Sequence, residues 1–211
     1  MGVARTSVDA TVRADELQAE LPEEELWRAQ LYGLLARLLA GPPDEALLNA
    51  LARAHDDATE LGRAMGELAS AAKSSTADAA SEEYHTLFIG MARGEFVPYA
   101  SYYLSGFLND RALAAMRRRL ELLGVTRAEG VMEPEDHIAA LLEVMAGLIS
   151  GAFGDPAPLG EQREVFEAHL APWGARFFTD LEKSESAVFY AAVGRVGRLF
   201  LGIETTAFAM T

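Results

Sequence analysis

The sequence predicts an all-α protein, a compact bundle of about nine to ten helices. Three observations carry this. Leucine and other apolar residues recur at spacings of three and four along most of the chain, which lines one face of a helix. No run of alternating β-branched residues occurs to suggest strands. The Gly, Pro and Ser breaks between most periodic segments are short, which favours antiparallel helical neighbours.

Residues 23–40 carry Leu31, Leu34, Leu35, Leu38 and Leu39 on one helical face, and Gly41-Pro42-Pro43 ends the helix. Short Ala-rich helices are expected at about 44–54 and 57–72, before the Lys73-Ser74-Ser75-Thr76 turn. A helix over about 77–88 turns Tyr84, Leu87 and Phe88 inward, and Gly90, Gly94 and Pro98 then enforce a loop. Helix resumes after Tyr99 and again at about 109–123, with Leu113, Met116, Leu120 and Leu123 buried and Arg117, Arg118 and Arg119 facing water. Glu133-Pro134-Glu135-Asp136 reads as the next helix start, because proline suits the first helical position and acidic side chains offset the positive end of the dipole. Ile138, Leu141, Leu142, Met145, Leu148 and Ile149 continue that helix to a Gly151–Pro158 linker, after which helices are expected at about 159–170, 173–183 and 185–203.

The expected organisation is a flexible N-terminal extension over 1–22, a single all-helical domain over 23–204 with a hinge near 124–137, and a C-terminal tail over 205–211. The first 22 residues hold no apolar segment of secretory type. No stretch reaches the ~18 uninterrupted apolar residues of a membrane span, so no stable membrane insertion is expected. The chain has no cysteine, which removes disulfides, thiolate nucleophiles and Cys-based metal sites and fits a reducing compartment. A net charge of −14 disfavours nucleic acid and anionic lipid, both polyanions, and favours a basic partner. Acidity that serves solubility alone remains an open reading.

The four histidines, His55, His85, His137 and His169, form no i, i+4 metal pair. Only Glu133, Glu135, Asp136 and His137 are dense enough to consider for chemistry. One alternative is a helical metal-dependent hydrolase centred on Asp136 and His137. Helix capping and a hinge or binding role are both open for this cluster. No GxSxG, Walker loop or GxGxxG is present, so acyl transfer, nucleotide hydrolysis and dinucleotide binding lack a motif; an enzyme, a cofactor and a metal are not expected. Residues 82–103 gather Tyr84, Phe88, Phe96, Tyr99, Tyr102 and Tyr103, six of the sixteen Phe and Tyr residues, around the Gly/Pro loop. They either seal a helix junction or line a groove for an apolar peptide.

Three ordered blocks resemble the family of twin-arginine signal-binding chaperones of the TorD, DmsD and NarJ type. The first is Tyr84-His85-Thr86-Leu87-Phe88-Ile89-Gly90 continuing to Pro98-Tyr99-Ala100-Ser101-Tyr102-Tyr103. The second is Glu133-Pro134-Glu135-Asp136-His137-Ile138, similar to the family's acidic Asp-His hinge. The third, Phe166, His169, Leu170, Trp173, Phe177, then Phe189-Tyr190 through Phe200 and Glu204, is looser. Met91 departs from the pattern where many relatives place proline, and Tyr99 stands where some have tryptophan; both bear on groove shape and client choice.

The resemblance implies a TorD-like helical fold and a cytoplasmic chaperone for molybdoenzyme maturation. Its partners would be the twin-arginine signal peptide and apo-precursor of a molybdopterin enzyme, of the formate dehydrogenase or dimethyl sulfoxide, trimethylamine N-oxide or nitrate reductase type, held until cofactor insertion. Position by position it implies signal-peptide binding by Tyr84, Leu87, Phe88, Pro98, Tyr99, Ser101 and Tyr103, and a hinge or binding role for Glu133, Asp136 and His137. Asp136 and His137 are expected as a hydrogen-bonded pair at a helix start. A monomer and a dimer swapped through the Gly151–Pro158 linker are both compatible with the chain.

Overall fold

The structure, a computed structural model, describes residues 3–4, 21–54, 56–91, 93–127 and 132–210. Among the described residues there are ten α-helices, two π turns and one two-residue strand pair, so the fold is all-α as expected. Most of the 1–22 extension, His55 and positions 128–131 of the expected hinge lie outside the described residues.

The chain folds as two compact units, each assembled from two separate segments. The first unit takes Met1–Ala40 and Tyr99–Pro172. It contains α1 (Glu23–Ala40), α5 (Ala100–Ser105), α6 (Arg111–Leu122), α7 (Ile138–Ser150) and α8 (Leu159–Val165), the last running on into a π turn at Phe166–Leu170. Its centre is α7, which packs along α1 and is apolar on nearly every side, the pattern of a helix with no solvent face. All six of its expected apolar positions are buried. Arg28 of α1 bonds Glu25 at 2.8 Å and Gln162 of α8 at 3.0 Å, and Gln162 donates to the Ala157 carbonyl at 3.0 Å. A short antiparallel pair joins β1 (Val3–Ala4) to β2 (Thr126–Arg127), with Val3 opposite Arg127.

In α6 the buried stripe is Leu113, Met116 and Leu120, and Arg117 and Arg118 are exposed; Leu123, expected in the stripe, lies just past the helix end and is only half-buried. Arg119 departs from expectation. Its guanidinium is half-buried, 3.0 Å from Glu164 and 3.7 Å from Glu161, so it ties α6 to α8 in place of facing water.

The second unit takes Gly41–Pro98 and Trp173–Thr211. It contains α2 (Glu45–Leu51), α3 (Glu60–Ser74), α4 (Ala77–Tyr84) with a π turn at His85–Ile89, α9 (Gly174–Glu182) and α10 (Phe189–Ala209). Asp44, Thr59 and Thr76 cap α2, α3 and α4 by accepting from the amides of Leu47, Gly62 and Ala79. The long α10 lies against α9 and α3. Its approach to α9 depends on two glycines: a Cβ at Gly194 would stand 2.5 Å from the Glu182 amide nitrogen, and one at Gly197 would stand 2.3 Å from the Phe178 ring.

Helix α10 begins at Phe189, later than the expected 185, and reaches Ala209, beyond the expected 203. The start at Phe189 is marked by the Glu83 carboxylate, which accepts from the amides of Val188, Phe189 and Tyr190. The late end follows from Phe208, which is buried and anchors the last turn, so most of the expected 205–211 tail is helical.

Candidate functional site

In the second unit the Tyr84–Pro98 block is a helix end converted into a tight turn. Helix α4 widens into a π turn, closed by the Gly90 amide bonding the His85 carbonyl at 2.7 Å, with Gly90 at φ +61°. The Phe96 amide then returns to the Leu87 carbonyl at 2.8 Å. Gly94 is pressed against this backbone, since a Cβ there would lie 2.4 Å from the Phe88 carbonyl carbon. The result is a fixed turn whose side chains divide sharply. Leu87 is 0% exposed, Tyr84 and Pro98 are buried, Phe88, Phe96 and Val97 are half-buried, and Ile89 and Met91 stand in solvent.

Aromatic contacts hold the half-buried members. Phe88 meets Tyr84 at 4.9 Å and Tyr190 at 5.4 Å between centroids, and Phe96 meets Phe177 edge-on at 6.3 Å. Burial, reinforced by Tyr84 and Glu83, pushes the Tyr190 phenol far above its ordinary range. Glu83 is the fastening. One carboxylate oxygen accepts from the amides of Val188 and Tyr190, both at 2.8 Å, and the other from Phe189 at 3.0 Å, so a residue of α4 caps α10.

In the first unit, Tyr99–Tyr103 and Glu133–His137 are laced together. Tyr99 and His137 form an antiparallel bridge with rings 5.0 Å apart, and the Ala100 amide bonds the Asp136 carbonyl at 2.9 Å. The Tyr99 hydroxyl donates to Glu133. One Asp136 oxygen, Oδ2, accepts from both the Ser101 amide at 2.9 Å and the Ser101 hydroxyl. Tyr103 is half-buried on α5, its amide bonded to the Tyr99 carbonyl at 3.1 Å. Glu135 pairs with Arg117 at 2.9 Å.

These bonds revise two expectations. Residues 133–136 are not the first turn of a helix: they are held in a turn by residues 99–101, and α7 starts only at Ile138. Asp136 and His137 do not bond each other either. Asp136 is committed to Ser101, whereas His137 Nδ1 accepts from the Ala139 amide at 3.2 Å and serves as the N-cap of α7. Burial lowers the His137 pKa to about 4.

Beside this junction lies a cleft of about 60 Å³ lined chiefly by Ala100, Leu104, Met116, Leu141, Asp136 and His169. Asp136 is 1% exposed, and its second oxygen, Oδ1, has no hydrogen-bond partner among the described residues. Burial, followed by the charge of Arg119, holds His169 below the usual histidine range. The expected site residues thus fall into two groups, Tyr84, Leu87, Phe88 and Pro98 in one unit and Tyr99, Ser101, Tyr103, Glu133, Asp136 and His137 in the other. Sequence reasoning missed Glu83, whose bonds run to residues more than a hundred positions away, and the roles of Leu104 and His169 in the cleft. Among the described residues, no three His, Cys, Asp or Glu side chains group closely enough to hold an ion, and no helix is long and apolar enough to cross a membrane.

Residues 54–179 match the family model described as nitrate reductase delta subunit. The chain is 30% identical over 152 residues to Chaperone protein TorD of Aeromonas salmonicida, covering 69% of this chain and 67% of that protein. It is 29% identical over 126 residues to Chaperone protein TorD of Vibrio cholerae, covering 56% of this chain and 57% of that protein. Against several of these relatives the chain therefore spans little more than half of their length. A crystal structure assigned to a redox enzyme maturation protein from Archaeoglobus fulgidus superposes with a TM-score of 0.55 at 25% identity, covering 83% of this chain and 93% of that one.

Proposed function

We propose that this chain, which belongs to the nitrate reductase delta subunit family, is a cytoplasmic maturation chaperone of the TorD type and not an enzyme. Its client is the apo form of a molybdopterin enzyme, bound through the twin-arginine signal peptide and held until the cofactor is inserted. The observation that carries this reading is the Tyr84–Pro98 turn. A turn held by backbone hydrogen bonds there presents half-buried Phe88, Phe96 and Val97 beside exposed Ile89 and Met91, on a protein of net charge −14. A preorganised apolar surface on an acidic protein suits a ligand that is basic at one end and apolar along the rest.

In this reading Leu87 acts from beneath, as the plug that keeps the turn in shape, and Phe88 touches the client. Burying a client Leu or Phe contributes about 1.5–3 kcal/mol, and micromolar binding needs about 8 kcal/mol net, so several such anchors are required. Carboxylates at the rim mainly hasten encounter. Calorimetry with signal peptides of formate dehydrogenase, dimethyl sulfoxide, trimethylamine N-oxide and nitrate reductase precursors tests the proposal. One of them is expected to bind at about micromolar strength. Phe88→Ser combined with Ile89→Ser should weaken it about tenfold, a change of ~1.4 kcal/mol, without loss of helical circular dichroism. Failure of every such peptide to bind the wild-type protein would sink the reading.

A further inference from the structure

We infer that the loop over residues 183–188, between α9 and α10, is a second wall of the client-binding surface begun by the 85–97 turn, and that Val188 on it contacts the apolar part of the client. The inference rests on the chaperone reading above and adds to it residues from a distant stretch of the chain. Two fastenings hold the loop beside the turn. Where the turn begins, the Glu83 carboxylate accepts from the amides of Val188 and Tyr190 at 2.8 Å and of Phe189 at 3.0 Å. On the returning limb, the Ser184 hydroxyl donates to Glu95 at 2.7 Å, and the same oxygen accepts from the Ser186 amide at 3.2 Å. Between these points the Tyr190 ring comes within 5.4 Å of Phe88 and 5.8 Å of Tyr84. Both ends of the loop are thus bonded to both limbs of the turn, inside the second unit.

Position 188 is an unusual place for a valine. It is the N-cap of α10, where Ser, Thr, Asp or Asn is favoured because the side chain can accept from the first free amides. Glu83 does that capping from α4, which releases residue 188 from the task. The valine that stands there is 77% exposed, although Phe189 and Tyr190 beside it are 0% exposed. A single exposed valine is ordinary on a protein surface. This one adjoins the ring cluster that holds Phe88, in a surface that already carries exposed Ile89 and Met91. The charges argue for the occupant. Residues 82–97 and 183–188 carry Glu82, Glu83, Glu95 and Glu185 against Arg93 and Lys183, so the surface is acidic on balance. Glu95 and the exposed Glu185 stand at the Ser184 end, and Phe88 and Val188 at the Tyr190 end. A peptide with a basic segment followed by an apolar one therefore lies with its arginines toward Ser184 and its apolar side chains on Phe88 and Val188.

The test uses the full chain and whichever twin-arginine signal peptide binds it in the calorimetry above. Val188→Ser and Val188→Asp are each expected to lower affinity about fivefold, and Val188→Leu to keep it. Serine and aspartate are better N-caps than valine, so urea unfolding should find both variants at least as stable as the wild type, which separates a lost contact from a lost fold. Glu185→Lys should weaken the same peptide about threefold and leave unchanged the binding of a version whose arginine pair is replaced by glutamine. Wild-type affinity in both Val188→Ser and Val188→Asp, for a peptide that the combined Phe88→Ser and Ile89→Ser change does weaken, would overturn the second wall and leave the chaperone reading in place. Equal losses of the two peptides in Glu185→Lys would overturn the direction in which the client lies. A wild-type protein that binds none of the signal peptides would refute the chaperone reading and this inference together.

Discussion

Glu83→Ala is expected to destabilise the protein by about 3 kcal/mol, a large share of the stability of a domain this size. The first turn of any helix leaves amide groups without intrahelical acceptors. In α10 three of them, at Val188, Phe189 and Tyr190, are met by the two oxygens of this one carboxylate. Phe189 and Tyr190 are fully buried, so water cannot readily replace the lost acceptor. Hydrogen bonds to a charged group are worth more than neutral ones, and the negative charge also opposes the helix dipole. Glu83→Gln keeps one acceptor oxygen and should lose roughly half as much. Urea unfolding of the two variants reads both numbers. A loss below about 1 kcal/mol in the alanine variant would mean that α10 finds another cap.

Between pH 7 and pH 5 the wild-type protein is expected to lose about 2 kcal/mol of stability through His137. Its pKa is about 4 in the folded chain against an ordinary 6.5. The unfolded chain therefore binds the proton first as pH falls. The stability contributed by the neutral ring is fully present above about 6.5 and is lost progressively toward about 4. The cause is structural: the ring is buried, and Nδ1 must stay unprotonated to accept from the Ala139 amide. His169, also lowered by burial, adds to the loss in the same direction. Unfolding free energies measured at pH 7 and pH 5 should differ far less in His137→Asn, which retains a capping oxygen and has no titrating group. An unchanged difference in that variant would remove His137 as the cause.

What could be read from the sequence was whatever depends on neighbours three or four positions away. The apolar stripes of α1, α6 and α7 lie where the leucine spacing puts them, and the Gly90 turn ends its helix on schedule. What escaped depends on partners far along the chain. Arg119 looked like one of three solvated arginines because Glu161 and Glu164 lie some forty positions on. Glu133 to Asp136 carry the composition of a helix start, yet Tyr99 and Ser101 draw their side chains into another set of bonds. The residue types that form the candidate site were visible as Tyr99, Ser101, Glu133, Asp136 and His137. Which of them bond each other was not, since composition cannot distinguish an Asp-His pair from two neighbours that turn apart.

Because each unit is stitched from two stretches of chain, with crossings after Ala40, Pro98 and Pro172, their assembly during synthesis is staggered. A ribosome that has delivered residues up to Pro172 has released everything the first unit requires, while α2, α3 and α4 still wait for α9 and α10. The apolar turn at residues 85–97 takes its ring partners Phe177 and Tyr190 from those later helices, so it acquires its finished shape only after α9 and the start of α10 have been made.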